Sequence, residues 1–347
     1  MIRVLVWKLL RDLRLILGVT CILLAAFQVL WALVMRRIIG ELAPFFHGMA
    51  GVSGIEIADM EKFIFGGPGK MVRSILGGEA IDLNTAMDML SVGFIHPLVQ
   101  TLLCVWAVGR AAGALAGEID RGTMELLLSQ PVSRGTLVFA HFLVDCITIP
   151  MICLSIWLGS LFGYLMINPL ELKGIDALPK MKPVSLEVSV AGFKFKVNDP
   201  LPKAVVKPIT PGTGRLEIRP LAFAKGLLAT AGILFSIIGL TMVLSSLGRF
   251  RFRVLGYAVF ILLIMFLANV IGQIWEPLEW VRPFTIFYYY QPQLLILDRG
   301  WTMGLKEWNG GKDWLAVPFL PVLFGTGALG YLAAWAIFKQ RDIPAPI

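Results

Sequence analysis

The sequence predicts an all-α polytopic membrane protein, with six transmembrane helices and a small extracytoplasmic β insertion. Three observations carry that prediction. Hydrophobic residues make up 57% of the 347-residue chain against 16% charged, and mean hydropathy is +0.77, more apolar character than a water-soluble globule of ordinary size needs. Six stretches, 15–35, 92–116, 136–167, 221–247, 254–275 and 315–338, reach the roughly 20 helical residues that about 30 Å of hydrocarbon requires. Basic residues also gather in alternate short connections, the pattern that sets orientation.

Arg3, Lys8, Arg11 and Arg14 precede the first span, as in a signal peptide. No A-x-A-like cleavage site follows, and LGVTC fits a lipoprotein box poorly at Thr20, so an uncleaved first span is expected. Residues 36–91 place Gly-rich breaks (GGPGK, LGG) around amphipathic pieces such as DMEKFIF, an outer loop with interfacial helices. The third span is long enough to tilt, and Pro150 removes a ladder hydrogen bond inside it. In 168–220, SLEVSV and FKFKV alternate with period two around Ala191-Gly192, as in a hairpin, and RLEIR repeats the pattern. This insertion carries nine Lys or Arg against five Asp or Glu, a solvated face. Residues 276–314 hold Trp280, Phe284, Phe287, Tyr288, Tyr289, Tyr290, Trp301, Trp308 and Trp314, with prolines at 277, 283 and 292. That segment is too interrupted to span and reads as a re-entrant or interfacial outer element. With both termini in the cytoplasm, segments 1–14, 117–135, 248–253 and 339–347 together carry eleven Lys or Arg on the inner side.

Several function classes are excluded. A net charge of +8 in so apolar a chain speaks for topology and anionic headgroups, and no basic, aromatic-interleaved domain points to nucleic acid. Cys21, Cys104, Cys146 and Cys153 lie in apolar runs without metal-like spacing. His47, His96 and His141 are scattered, and neither H-E-x-x-H nor G-x-S-x-G occurs. GGPGK at 66–70 lacks the spacing and the following Ser or Thr of a phosphate-binding loop.

The densest polar stretch is EIDRGTMELLLSQPVSR, Glu118 to Arg134, between the second and third spans. Asp120-Arg121-Gly122-Thr123 supplies a turn and a Thr123 N-cap, and Glu125 puts negative charge in the first turn of a short helix from Met124 to about Gln130. Pro131 ends that helix, and Ser133 caps the start of span three. Met124, Leu127 and Leu128 share one face and lie outside the hydrocarbon, so something must cover them. Two readings compete: the helix lies flat among headgroups, or it docks in the groove of a cytoplasmic partner with Glu118, Asp120, Arg121 and Arg134 as a charged rim.

The pattern E-x-x-R-G-T-x-E-L-L-L-S-x-P-V-S-R resembles the signature of the ABC-2 type permeases, membrane subunits of ATP-driven exporters, especially the subgroup that includes the nitrous oxide reductase maturation permease. Val281-Arg282-Pro283-Phe284 is similar to that family's aromatic-proline segment before the last span, and Phe338-Lys339-Gln340-Arg341-Asp342 to its closing motif. The resemblance implies a type V exporter-like fold in a bacterial cytoplasmic membrane and a coupling helix at about 118–130. That helix would seat in a separate ATPase subunit, which binds ATP and Mg in place of this chain. Glu118, Arg121, Gly122, Thr123 and Glu125 carry over from the motif, with Asp120, Met124, Leu127 and Leu128 completing the contact surface. A second permease subunit, identical or related, is implied, with the transport path lined by spans one, two and five. The long 36–91 and 168–220 loops depart from the family pattern and point to an extracytoplasmic protein partner at 168–220, which frames the alternative of a non-transporting module acting mechanically on that partner.

Ionisable groups inside spans are functional candidates by default. Asp145 lies about nine residues, roughly 13 Å, into span three, and Arg110 at similar depth in the antiparallel span two is placed to pair with it. A structural ion pair, a snorkelling Arg110 and a transport role are the readings for these two; His141, one turn from Asp145, adds a proton relay or an intramembrane enzyme. Gly109, Gly113 and Gly117 put three small residues on one face of span two, where another helix is expected to approach closely. Arg249, Arg251 and Arg253, interleaved with Phe250 and Phe252, read as a lipid anchor or an ATPase contact.

Overall fold

A computed structural model describes residues 2–38, 86–130, 132–168, 187–190, 193–196, 218–306 and 313–341. Among them, six helical segments are long and apolar enough to cross a membrane. In chain order the elements are α1 (Ile2–Arg37), α2 (Ala86–Ile95), α3 (Pro97–Ala112), α4 (Ala116–Asp120), α5 (Thr123–Leu128), α6 (Arg134–Ile167), strands β1 (Glu187–Val190) and β2 (Phe193–Lys196), α7 (Phe223–Leu247), α8 (Arg251–Ile274), α9 (Pro292–Ile296), strands β3 (Thr302–Lys306) and β4 (Asp313–Pro318), and α10 (Phe319–Gln340). The spans alternate in direction, so both ends of the chain lie at one end of the bundle, here termed proximal. There Arg341 donates to the carbonyls of Ser246 (2.7 Å) and Gly248 (2.8 Å), and Arg134 to the carbonyl of Arg341.

The second span is two helices, because Pro97 cannot donate a backbone hydrogen bond to continue α2. His96 caps the break, its Nδ1 accepting from the Leu98 N–H at 3.2 Å. At the start of α6, Ser133 Oγ accepts from the Thr136 N–H at 3.1 Å, the expected cap. Pro150 stands inside α6.

Lipid tails are as apolar as leucine, so helices in a bilayer associate through close backbone approach and internal hydrogen bonds rather than through exclusion of water. Small residues mark the crossings. A Cβ on Gly159 of α6 would meet the Ala25 carbonyl of α1 at 2.5 Å, and one on Gly163 would meet the Ala32 Cβ at 2.8 Å. Where α7 meets α10, Gly239 abuts the backbone of Gly327 and Gly330, and Ser236 Oγ donates to the Leu323 carbonyl at 2.6 Å. The glycines singled out by spacing play another part. Among the described residues no other group lies within 4 Å of a Cβ placed on Gly109, and one placed on Gly113 or Gly117 would meet the Arg251 side chain at 3.6 Å. Gly109 and Gly113 line a cavity, and Gly117 is buried against the Arg251 side chain rather than against the backbone of another helix.

Helix α7 is central, with 61% of its most apolar stretch buried, whereas α1 and α8 bury only 22% each. At the distal end, the aromatic residues of 275–301 divide. Phe287, Tyr288, Tyr289 and Tyr290 are buried, and the Tyr290 hydroxyl donates to the Phe94 carbonyl at 2.7 Å; Trp275, Trp280, Phe284 and Trp301 stay exposed, like headgroup-level residues. A 3₁₀ stretch (Glu276–Phe284) precedes it, and β3 and β4 pair antiparallel after it, a hairpin that the sequence pattern did not suggest. In the 168–220 insertion, β1 and β2 pair antiparallel with Val190 opposite Phe193, as the alternation around Ala191-Gly192 predicted. Of the outer loop with interfacial helices expected over 36–91, residues 39–85 lie outside the described residues and 86–91 belong instead to α2 of the second span; most of RLEIR also lies outside the described residues.

Candidate functional site

Helix α3 ends at Ala112, and the chain turns before α4. That turn exposes N–H groups without helical partners. Ser245 of α7 meets them: its Oγ accepts from Leu115 N–H (3.1 Å) and Ala116 N–H (3.0 Å). The next break, between α4 and α5, is made by Gly122 at φ +69°, a left-handed conformation that costs glycine little and other residues more. Together α4 and α5 form an elbow projecting at the proximal end.

Glu118 is the pin of this elbow. Only 8% exposed, its carboxylate accepts from the Arg121 guanidinium at 2.6 Å and from the Thr123 hydroxyl, which also reaches the Glu118 carbonyl at 3.2 Å. Thr123 was expected to cap α5 with this hydroxyl. The cap position belongs to Gly122 instead, because the tight turn places Thr123 inside the helix and aims its side chain back at Glu118. Glu118 therefore leaves the charged rim. Asp120 remains exposed on it, accepting from the Arg251 N–H at 3.4 Å, as do Arg121 and Glu125.

The apolar face of α5 is also redistributed. Met124 is 1% exposed and joins the core of the bundle, with Leu127 and Leu128 half-buried beside it. The sequence left headgroups or a partner as the cover of this face; the bundle itself covers Met124 and half-buries Leu127 and Leu128. Burial of a methionine side chain is worth about 1.5–3 kcal/mol relative to exposure, enough to hold the elbow against the bundle. Leu126, by contrast, is 70% exposed. The sequence did contain this signal: three consecutive leucines turn through about 200° of an α-helix, so they cannot all share a face.

Behind the elbow lies a cavity of about 590 Å³. Its walls come from α1 (Asp12, Ile16), α3 (Trp106, Arg110), the elbow (Glu118, Thr123) and Arg251 of α8. Deeper in the same wall is a buried charge cluster. Arg110 Nε stands 3.3 Å from Asp145 Oδ1, the two side chains 3% and 1% exposed, and Arg110 Nη2 is 3.0 Å from His141 Nδ1. Arginine can only donate, so His141 Nδ1 accepts here and a neutral ring carries its proton on Nε2. The Tyr331 hydroxyl of α10 donates to Asp145 Oδ2. Ser245 and Tyr331 gave no warning in the sequence, because their roles depend on which helices meet. Among the described residues no three His, Cys, Asp or Glu side chains group to hold a metal ion.

The geometry is mechanical: a pinned elbow with one free face, a cavity, and an ion pair tying α3 to α6. The model of the ABC-2 family transporter proteins matches residues 11–338. The chain belongs to the ABC-2 family. As a member it is a membrane component of an ABC transporter, and its six apolar helices make it multi-pass. Neither a curated protein nor a solved structure matches the chain. Within this ABC-2 transporter component, EIDRGTMELLLS forms the elbow, and its acidic and basic residues divide between the internal pin and the free face.

Proposed function

We propose that this chain is the permease subunit of an ATP-binding cassette exporter, and that α4–α5 is the coupling element on which a separate ATPase subunit, holding ATP and Mg, seats from the cytoplasm. One observation carries the proposal: the elbow, pinned internally by Glu118, is bolted to the bundle through Met124 and Ser245 and leaves Leu126, Glu125 and Asp120 exposed. An exposed leucine in a charged rim is the form a helix takes when it is read by a groove. The surplus of basic residues in the short proximal connections supports a cytoplasmic position for that end and for both termini.

The spans with the least internal burial are α1 and α8, and a second permease subunit covers them in this reading. The 590 Å³ cavity, lined by α1, α3 and Arg251, then opens on the path of the exported substrate. Coupling requires the ATPase to bind two membrane conformations with different affinity. The Ser245 bonds to the Leu115 and Ala116 N–H groups tie the start of the elbow to α7, and the Arg110–Asp145 pair ties α3, from which the elbow continues, to α6, so in this reading the cavity wall moves with the elbow. Similarity of the motif to that of the nitrous oxide reductase maturation permease supports membership of that subgroup in the same reading.

Co-purification from detergent-solubilised membranes tests the proposal. Wild-type chain captures an ATP-binding subunit, and Leu126→Asp loses it while eluting as a monodisperse species on gel filtration. Met124→Asp is unsuitable, since it buries a charge in the bundle and unfolds the elbow. Absence of an ATPase from the wild-type eluate, or its full retention by Leu126→Asp, overturns the assignment.

A further inference from the structure

Helices α6 and α10 leave an outward-facing groove on a face the coupling model does not use. Its inner part, a cavity of about 520 Å³, is lined by Phe139 and Phe142 of α6 and by Ala328, Tyr331, Leu332 and Trp335 of α10. Every one of those side chains offers carbon to the groove, since the Tyr331 hydroxyl is engaged with Asp145. Phe139 and Trp335 also line an adjoining space of about 540 Å³ at the proximal end. There the lining changes to Ser133, Arg134, Thr136 and Lys339, with no carboxylate among the described residues that form it.

Dimensions and charge select the occupant. From Ala328 to Lys339 the α10 axis advances about 16 Å, close to one leaflet of a hydrocarbon layer about 30 Å thick. Over that length the lining passes from apolar to an indole and then to two cations, the order in which a phospholipid passes from acyl chain to glycerol to phosphate. Lys339 Nζ lies 5.1 Å from the centre of the Trp335 ring, which holds the ammonium at the head of the groove. Arg134 begins a 34-residue helix whose N-terminus adds positive potential. Trp335 is set in place by Gly135: a Cβ there would meet the indole Nε1 at 2.5 Å.

We infer that the α6–α10 groove is a binding site for one anionic phospholipid of the proximal leaflet, its phosphate between Arg134 and Lys339 and an acyl chain against Phe142 and Leu332. Arg134, read from the sequence as part of the charged rim, stands on α6 with its guanidinium at the Arg341 carbonyl, outside the α4–α5 elbow, and Lys339 stands on α10, so the site stands or falls independently of the ATPase assignment.

Native mass spectrometry of the full chain, released from detergent after incubation with equimolar dioleoyl phosphatidylglycerol and dioleoyl phosphatidylcholine, reads the site directly. Two basic groups at a headgroup predict a preference for phosphatidylglycerol on the order of tenfold in the first bound lipid. Arg134→Gln with Lys339→Gln brings that preference close to that of an uncharged surface. Ala328→Trp fills the groove and removes the first bound lipid with both cations intact, whereas Arg11→Gln, exposed on the proximal part of α1, changes neither. Equal retention of the two lipids by the wild type overturns the inference. So does an unchanged preference in the double variant or in Ala328→Trp, which would leave only diffuse attraction to basic side chains. A change of oligomeric state in the variants with no lipid preference in the wild type overturns it in favour of a second copy on this face.

Discussion

Asp145 is out of water, and its charge is balanced by Arg110 and by the Tyr331 hydroxyl. Removing one member of such a pair strands the other, at a cost of about 3–5 kcal/mol, while replacing both with apolar residues often costs far less. Arg110→Leu or Asp145→Leu alone should therefore lower the midpoint of unfolding in detergent sharply, and the double variant should recover much of the loss. Single and double variants of equal stability would show that the pair contributes nothing. At the distal end, Asp298 holds a left-handed backbone at φ 55° and pairs with Lys225. The hydrogen bond from Lys225 draws the Asp298 carboxyl below its ordinary value of 3.8. A folded-state pKa below the unfolded one stabilises the protein above the ordinary value, and that contribution is lost as pH falls through the depressed one. Melting curves of wild type and Lys225→Met should therefore differ at pH 6 and converge below about pH 3; a constant difference would remove the pair from the account. At this scale the sequence was partly legible. Arg110 and Asp145 stood out as charges in apolar runs, but Tyr331 and Ser245 are ordinary side chains until α10 and α7 bring them to Asp145 and to the α3–α4 turn.

Glycine spacing within one helix says that a face is small, not that another helix uses it. Gly109, Gly113 and Gly117 recur every four residues and face a cavity and Arg251; Gly239, Gly327 and Gly330 are in the actual α7–α10 crossing. Gly239→Ala should thus push two backbones apart at a cost of about 1–3 kcal/mol, whereas Gly109→Ala should leave the thermal midpoint unchanged. Equal effects of the two would contradict the crossing. The spans and the β1–β2 hairpin were legible because length and period are local properties of the chain. Hairpin β3–β4 was not, because WLAVP lacks the alternation that marks a half-buried strand and its pairing with TMGLK is fixed only once α9 and α10 are placed. Helix α5 lies between these cases: its existence was legible, but which of its leucines face outward depends on Met124 finding the core.

For the whole molecule, the arrangement of six spans puts the elbow, the basic connections and both chain ends together, and leaves α1 and α8 with little internal cover. Those features fit a subunit that works between an ATPase below and a second permease beside it. The central claim is that Leu126, not Met124, meets the ATPase. Site-specific cysteine crosslinking in native membranes tests it most directly, using a chain whose Cys21, Cys104, Cys146 and Cys153 are replaced by alanine. Leu126→Cys should crosslink to an ATP-binding subunit, with a yield that changes when nucleotide is added, and Met124→Cys should not. A crosslink from Met124→Cys alone, or none from Leu126→Cys in membranes that contain the ATPase, would contradict the account.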